Sequence, residues 1–191
     1  NINYYMKGER GEPMPFWHGS AAREFGLEGV AEKQHVERLC AGYDPNNASK
    51  RLVRNAGQES RNPGHDLTWS APKSVSCAWS VADPELRRAI EEKHRAAVQA
   101  ALSFLEEKCG CARVGTDGLE RVRCPLLFAL FDHGTSRAED QQLHTHALLI
   151  NVTRHPAGLT TGKDTTAVDP TDFYHWTQLD PVLHVIRRYL R

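Results

Sequence analysis

Two apolar runs constrain this chain more than any other feature: CPLLFALFD at 124–132 and LHTHALLINV at 143–152. Both read as buried strands, because each is short, continuous and rich in aliphatic or aromatic residues. About ten polar residues between them turn the chain back, so the two strands lie antiparallel. Histidine interrupts this pattern at His133, His144 and His146. Apolar strands seldom carry two imidazoles on one face without a reason, so function is sought here.

The rest of the chain supplies helices to flank such a sheet. Residues from Ala31 to Ala41 read as a short helix after a polar, Gly/Pro-broken start. GYDPNNASKRLVRNAGQESRNPG is rich in Asn, Gly and Pro and reads as a long loop. DLTWSAP alternates as a strand, with Asp66, Thr68 and Ser70 on one face and Leu67, Trp69 and Ala71 on the other. A short helix follows through KSVSCAWSVA. Asp83-Pro84-Glu85 then starts another with an N-cap, a proline at N1 and an early acid. Leu86, Ile90, Ala97, Val98, Ala101, Leu102 and Leu105 recur at helical spacing and mark its buried face, and Gly110 stops it. ARVGTDGLERVR reads as a hairpin turning at Asp117-Gly118. Helices around a mostly antiparallel sheet make the chain α+β.

At 191 residues the chain is expected to be one domain with a sizeable core. No apolar run of membrane-spanning length occurs. The start has neither a signal-peptide core nor an initial Met, which points to a piece of something longer. Five cysteines, an odd number, fit a reduced, cytoplasmic protein better than a disulfide scaffold, and Cys109-Gly110-Cys111 has no second pair at zinc spacing. With 24 basic and 24 acidic residues the net charge is zero, so a nucleic-acid partner has to be argued from local patches. The most basic patch lies in the long loop, where Lys50, Arg51, Arg54 and Arg61 stand against Asp44 and Glu59.

Alternation along a strand projects His144 and His146 from one face, and an antiparallel neighbour brings His133 beside them. Three neutral imidazoles form a half-shell for a divalent cation and leave positions open for water or substrate. The other reading is three separate polar residues at a strand end. Asp66 opens a strand of the same sheet. It is either a carboxylate supporting a metal-bound imidazole or a turn residue capping the GHD segment.

These stretches also carry a resemblance. GHDLTWSAPKSVS (64–76), LFALFDHGTSR (127–137) and QLHTHALLINVT (142–153) resemble the motifs of conjugative relaxases of the MobF class, the TrwC/TraI type. NYYMKGERGEPMPFWHGSAAREFGLEG (3–29) resembles their N-terminal segment of paired tyrosines followed by a Trp-x-Gly-x-Ala run. The resemblance implies an HUH-type two-layer fold with a central, mostly antiparallel sheet flanked by helices. It implies a relaxase core over residues 1–191 that lacks the family's first strand and its C-terminal extension. The implied activity is nicking of single-stranded DNA at an origin of transfer, with a covalent 5′-phosphotyrosyl intermediate. His133, His144 and His146 fall on the metal triad, Asp66 on the supporting aspartate, and Tyr4 and Tyr5 on a tyrosine pair.

A phenol attacks phosphorus when a base or a cation's field favours phenolate, and the leaving group is a sugar 3′-hydroxyl. Arg137 and Lys73 are candidate phosphate ligands, together with Arg51 and Arg54 of the basic loop. Trp17 is a candidate for base stacking, and Trp69 for core packing. Imidazole triads suit Mn²⁺, Zn²⁺, Ni²⁺ or Co²⁺, while the family is associated with Mg²⁺ or Mn²⁺. Accessory relaxosome proteins and a type IV secretion coupling protein are the further partners implied. The alternatives are an HUH replication initiator or transposase, a non-catalytic single-strand-binding remnant, and a three-His metal hydrolase. Tyrosines placed before the triad and the SAPKSVS run favour the relaxase.

Overall fold

The computed structural model describes residues 13–114, 120–136 and 138–154. An antiparallel sheet is built from β1 (Phe16–His18), β2 (Gly64–Ser70), β5 (Phe128–Thr135) and β6 (Gln141–Ile150), in spatial order β1–β5–β6–β2. A separate ribbon pairs β3 (Cys111–Val114) with β4 (Glu120–Arg123). The helices are α1 (Ser20–Glu24), α2 (Lys33–Cys40), α3 (Lys73–Val81) and α4 (Pro84–Cys109). This is the α+β arrangement that the two apolar runs and the helical periodicities predict.

The two central strands are covered on both faces. On one, Leu127, Ala129, Phe131, Leu148 and Ile150 pack against Trp17, Ala21 and Ala22 of the β1–α1 segment and Val36 and Leu39 of α2. Leu52, Val53 and Ala56 of the long loop close that layer. On the other face, Phe128, Leu130, Ala147 and Leu149 meet Val98, Leu102 and Leu105 of α4. Continuous apolar strands are what two covered faces demand.

α4 starts where the sequence indicates: Asp83 accepts hydrogen bonds from the Glu85 and Leu86 amides, both at 2.9 Å, and Pro84 occupies N1. It ends at Gly110, whose φ of −63° is ordinary. Glycine is needed there for space, since a Cβ would lie 2.5 Å from the Glu106 carbonyl oxygen and 2.7 Å from that of Cys124.

Four expectations are corrected. Leu86 is 51% exposed, because the buried face of α4 begins only at His94, beyond its first turns. Trp17 lies in the apolar layer at 8% exposure, so it is core and presents no ring to a base. The polar start hides a short strand, β1, and the helix α1. The connection between the central strands is shorter than ten residues, since pairing reaches Thr135 and resumes at Gln141. The predicted hairpin pairs as expected, but its turn at Asp117-Gly118 lies outside the described residues, as do Tyr4, Tyr5 and Arg137.

Candidate metal and DNA-cleavage site

Strand register alone assembles the centre of the site. His133 pairs directly with His144, and Phe131 with His146, so all three histidines project from one face at one end of the β5–β6 ladder. Their ring centroids stand 5.5 Å (His133–His144), 5.3 Å (His133–His146) and 5.0 Å (His144–His146) apart. Rings that share one cation through nitrogens at about 2.1 Å have centres roughly 5 Å apart. Among the described residues no group of three or more His, Cys, Asp or Glu is arranged to hold a metal ion as it stands. Binding by this triad would therefore include a side-chain rotation from the present geometry.

Hydrogen bonds on the His144 and His146 rings fix which nitrogen each can offer. His144 Nδ1 lies 2.8 Å from the Gln142 carbonyl oxygen. A carbonyl only accepts, so Nδ1 carries the proton and Nε2 the lone pair. β2 supplies the next partner. Thr68 pairs with His146 in register, and Asp66 reaches His146 Nδ1 with both oxygens, at 2.9 and 3.0 Å. The Thr68 hydroxyl is 3.2 Å from the same nitrogen. A carboxylate behind one ring nitrogen raises the basicity of the other and orients the ring, as second partners of metal-binding histidines do. His144 and His146 are buried, and so is the Nε2 atom of His133. Asp66 keeps 30% of its side chain in solvent. The donor set is thus imidazole nitrogen backed by carboxylate and carbonyl, and it fits a divalent transition metal.

The surroundings hold this end of the sheet in shape. Immediately after His133 the ladder loses its register, at Gly134. A Cβ on Gly134 would come 2.6 Å from the Trp79 ring, so only glycine lets the indole close over that irregularity. Trp79 is itself held: its Nε1 donates to Glu91 at 2.8 Å, and the Arg87 guanidinium lies 4.1 Å over the ring. Ser76, inside the SAPKSVS run, is fully buried and accepts from the Leu143 amide at 3.1 Å, fastening α3 to the start of β6. Neither Gly134 nor Ser76 stood out as a site residue in the sequence. The signal was there for Gly134, since a glycine directly after a histidine inside a strand marks a bulge or a close approach.

The candidate DNA contacts separate into two groups. Lys73, the first residue of α3, is exposed at the triad end, where its Nζ donates to the Gln141 carbonyl at 3.0 Å. Arg51 and Arg54 are exposed on the long loop, which docks at the other end of the sheet. Arg61 anchors that loop by donating to the carbonyls of Cys40 (2.9 Å) and Asn151 (2.7 Å) and to the Asn55 side chain (3.0 Å). Lys50 is paired with Asp44 at 2.9 Å. The predicted basic patch therefore shrinks to Arg51 and Arg54, because Arg61 is consumed by backbone carbonyls. Trp69 is half-buried against the α4 layer, as expected.

The chain matches the TrwC relaxase family over residues 1–182. It is 38% identical over 155 residues to the multifunctional conjugation protein TraI of Escherichia coli, an alignment covering 80% of this chain and 8% of that protein. TraI of Escherichia coli strain K12 gives the same identity and coverage. The chain thus spans under a tenth of these relatives. Among solved structures, the metal-bound conjugative relaxase TrwC in complex with oriT DNA superposes with a TM-score of 0.77 at 28% identity, covering 99% of this chain and 64% of that one. A copper-bound TrwC–oriT complex gives 0.74 at 29% identity, covering 98% and 63%.

Proposed function

This chain belongs to the TrwC relaxase family, and on that premise we propose that it is a metal-dependent endonuclease and strand transferase that nicks single-stranded DNA at an origin of transfer. The observation that carries this reading is the convergence of His133, His144 and His146 on one face with Asp66 bonded to His146 Nδ1. Its likeness to TrwC structures in complex with oriT DNA supports the substrate.

His133, His144 and His146 would hold a divalent cation, Mn²⁺ or Mg²⁺ by family likeness, which when bound would neutralise charge on the nonbridging phosphate oxygens. The remaining chemistry belongs to the chain. Tyr4 or Tyr5 supplies a phenol oxygen that bonds to phosphorus as the bond to the 3′-oxygen breaks, leaving a 5′-phosphotyrosyl ester and a free 3′-hydroxyl. Asp66 is partly in solvent and beside the triad, so its carboxylate is suited to take the phenol proton while keeping the His146 ring oriented. Because the ester retains the bond's energy, the reverse attack reseals the strand. Lys73 at the triad end, with Arg137, holds phosphates near the break. Arg51 and Arg54 contact DNA farther along. The chain acts in the cytoplasm as the relaxase core of a larger assembly, with relaxosome proteins and a type IV secretion coupling protein as partners.

The test uses the full chain, Mn²⁺ and an origin oligonucleotide. An SDS-stable adduct at a 5′-phosphate is expected. It should persist in one of Tyr4→Phe and Tyr5→Phe and vanish in the double variant. An adduct in the double variant removes the tyrosines from the mechanism. DNA binding without any adduct would favour a non-catalytic single-strand-binding protein.

A further inference from the structure

The reverse side of the sheet, behind the triad, carries a polar relay that is buried at Thr145 and His94. Thr145 lies between His144 and His146 in sequence, and Asp132 immediately precedes His133, so both project away from the triad toward α4. They pair directly across the ladder, and the Thr145 hydroxyl donates to Asp132 Oδ1 at 2.6 Å. That donation uses the only hydroxyl proton. His94 Nε2, 3.1 Å from the same oxygen, must therefore donate to it, so Nε2 carries a proton. Arg95 donates to Asp132 Oδ2 from Nε at 3.2 Å and from its terminal nitrogen at 2.8 Å. The same guanidinium sits 4.7 Å over the Phe16 ring of β1. Four side chains thus join α4, β5, β6 and the edge strand, in a region where Thr145 is 1% exposed.

Position gives this relay its significance. Asp132–Thr145 is the rung between the two rungs that carry the triad, Phe131–His146 and His133–His144. Past His133 the register breaks, and among the described residues one further pair, Thr135–Gln141, continues the ladder beyond it, so the last regular rungs have little on that side to hold their spacing. A one-residue slip there would turn the histidines to the opposite face. Backbone pairing sets the faces, but the ring separations of 5.0–5.5 Å need the two strands fixed to a fraction of an ångström. A neutral apolar rung could pack there as well. A charged one, satisfied from both strands and from α4, resists slippage and shear because any displacement leaves a carboxylate buried and unpaired.

We propose that Asp132, Thr145, His94 and Arg95 are positioning residues that lock the strand pair so that His133, His144 and His146 converge on one cation. This rests on the triad's being the metal-binding centre. Mn²⁺ alone is the probe, titrated by calorimetry into the full chain and into variants whose thermal unfolding is followed in parallel. Thr145→Val keeps the side-chain shape and removes the hydroxyl, and it is expected to weaken Mn²⁺ affinity about tenfold, within the range known for outer partners of metal ligands. Thr145→Ser restores the hydroxyl and is expected to restore the affinity. Arg95→Gln, at a half-exposed position that tolerates exchange, is expected to weaken it too, and this variant decides the matter if Thr145→Val does not fold. Native Mn²⁺ affinity in folded Thr145→Val, or in Arg95→Gln where Thr145→Val is unfolded, overturns the proposal, and a lower melting temperature with that affinity unchanged marks the relay as structural only. A folded native chain that takes up no Mn²⁺ removes the triad reading itself, and the relay's role with it; that outcome is recognised from the native titration alone.

Discussion

The two ends of the β5–β6 ladder share the same strands, the same face and the same alternation, and they do opposite things. At one end Leu127, Ala129, Leu148 and Ile150 lie under α1, α2 and the long loop and make core. At the other, His133, His144 and His146 occupy equivalent positions in the alternation, and among the described residues that apolar layer does not extend over them. The face changes character where its apolar lining gives way to imidazole. Residue type follows that boundary: aliphatic side chains gain from exclusion of water, whereas imidazoles gain from partners such as Asp66 and the Gln142 carbonyl.

The largest expected effect breaks the covered end. Ile150→Ala removes a fully buried side chain and is expected to cost about 2–5 kcal/mol of folding stability by chemical denaturation. Mn²⁺ affinity in the fraction that remains folded should stay native, since the change lies several residues along β6 from the triad. A parallel collapse of affinity would mean that the two ends are not separable.

Breaking the open end should do the reverse. His146→Ala is expected to abolish stoichiometric Mn²⁺ uptake in calorimetry while costing roughly 1 kcal/mol of stability, typical of a single exchange outside the apolar core. Asp66→Asn keeps the ring contact but weakens its carboxylate support, and about a tenfold loss of affinity is expected.

A smaller effect sharpens the contrast through pH. Burial holds His94 below its ordinary value, outweighing the opposing pull of Asp132, with Arg95 and His144 adding to the depression. Burial likewise lowers His18 against the pull of Glu106. The unfolded chain then binds more protons than the folded one below about pH 6.5, so stability falls as pH drops through that value and is fully present above it. His94→Gln, which can still donate to Thr145, is expected to reduce that slope in denaturation series at descending pH. An unchanged slope would place the dependence elsewhere.

Much of this boundary was legible in the sequence. The apolar runs, the alternation that puts His144 and His146 on one face and the Asp83-Pro84-Glu85 helix start are local patterns, and each formed as written. What escaped depends on partners distant in the chain. The segment Phe16–His18 has no period of its own and becomes a strand by pairing with Phe128–Leu130. Arg61 reads as part of a basic patch by charge alone, and only the fold brings the Cys40 and Asn151 carbonyls to it. Leu86 fits the helical stripe, but the cover ends before it. The relay behind the triad was invisible because Asp132 and Thr145 look like incidental polar residues in apolar strands until register pairs them.

The most direct measurement is anomalous diffraction at the manganese edge from a crystal of this chain soaked in Mn²⁺. A single strong peak bonded to one nitrogen each of His133, His144 and His146 is expected, with Asp66 still on the far nitrogen of His146. No peak at that point, or one held by other residues, would contradict the claim that the histidine-bearing end of the ladder is a metal centre.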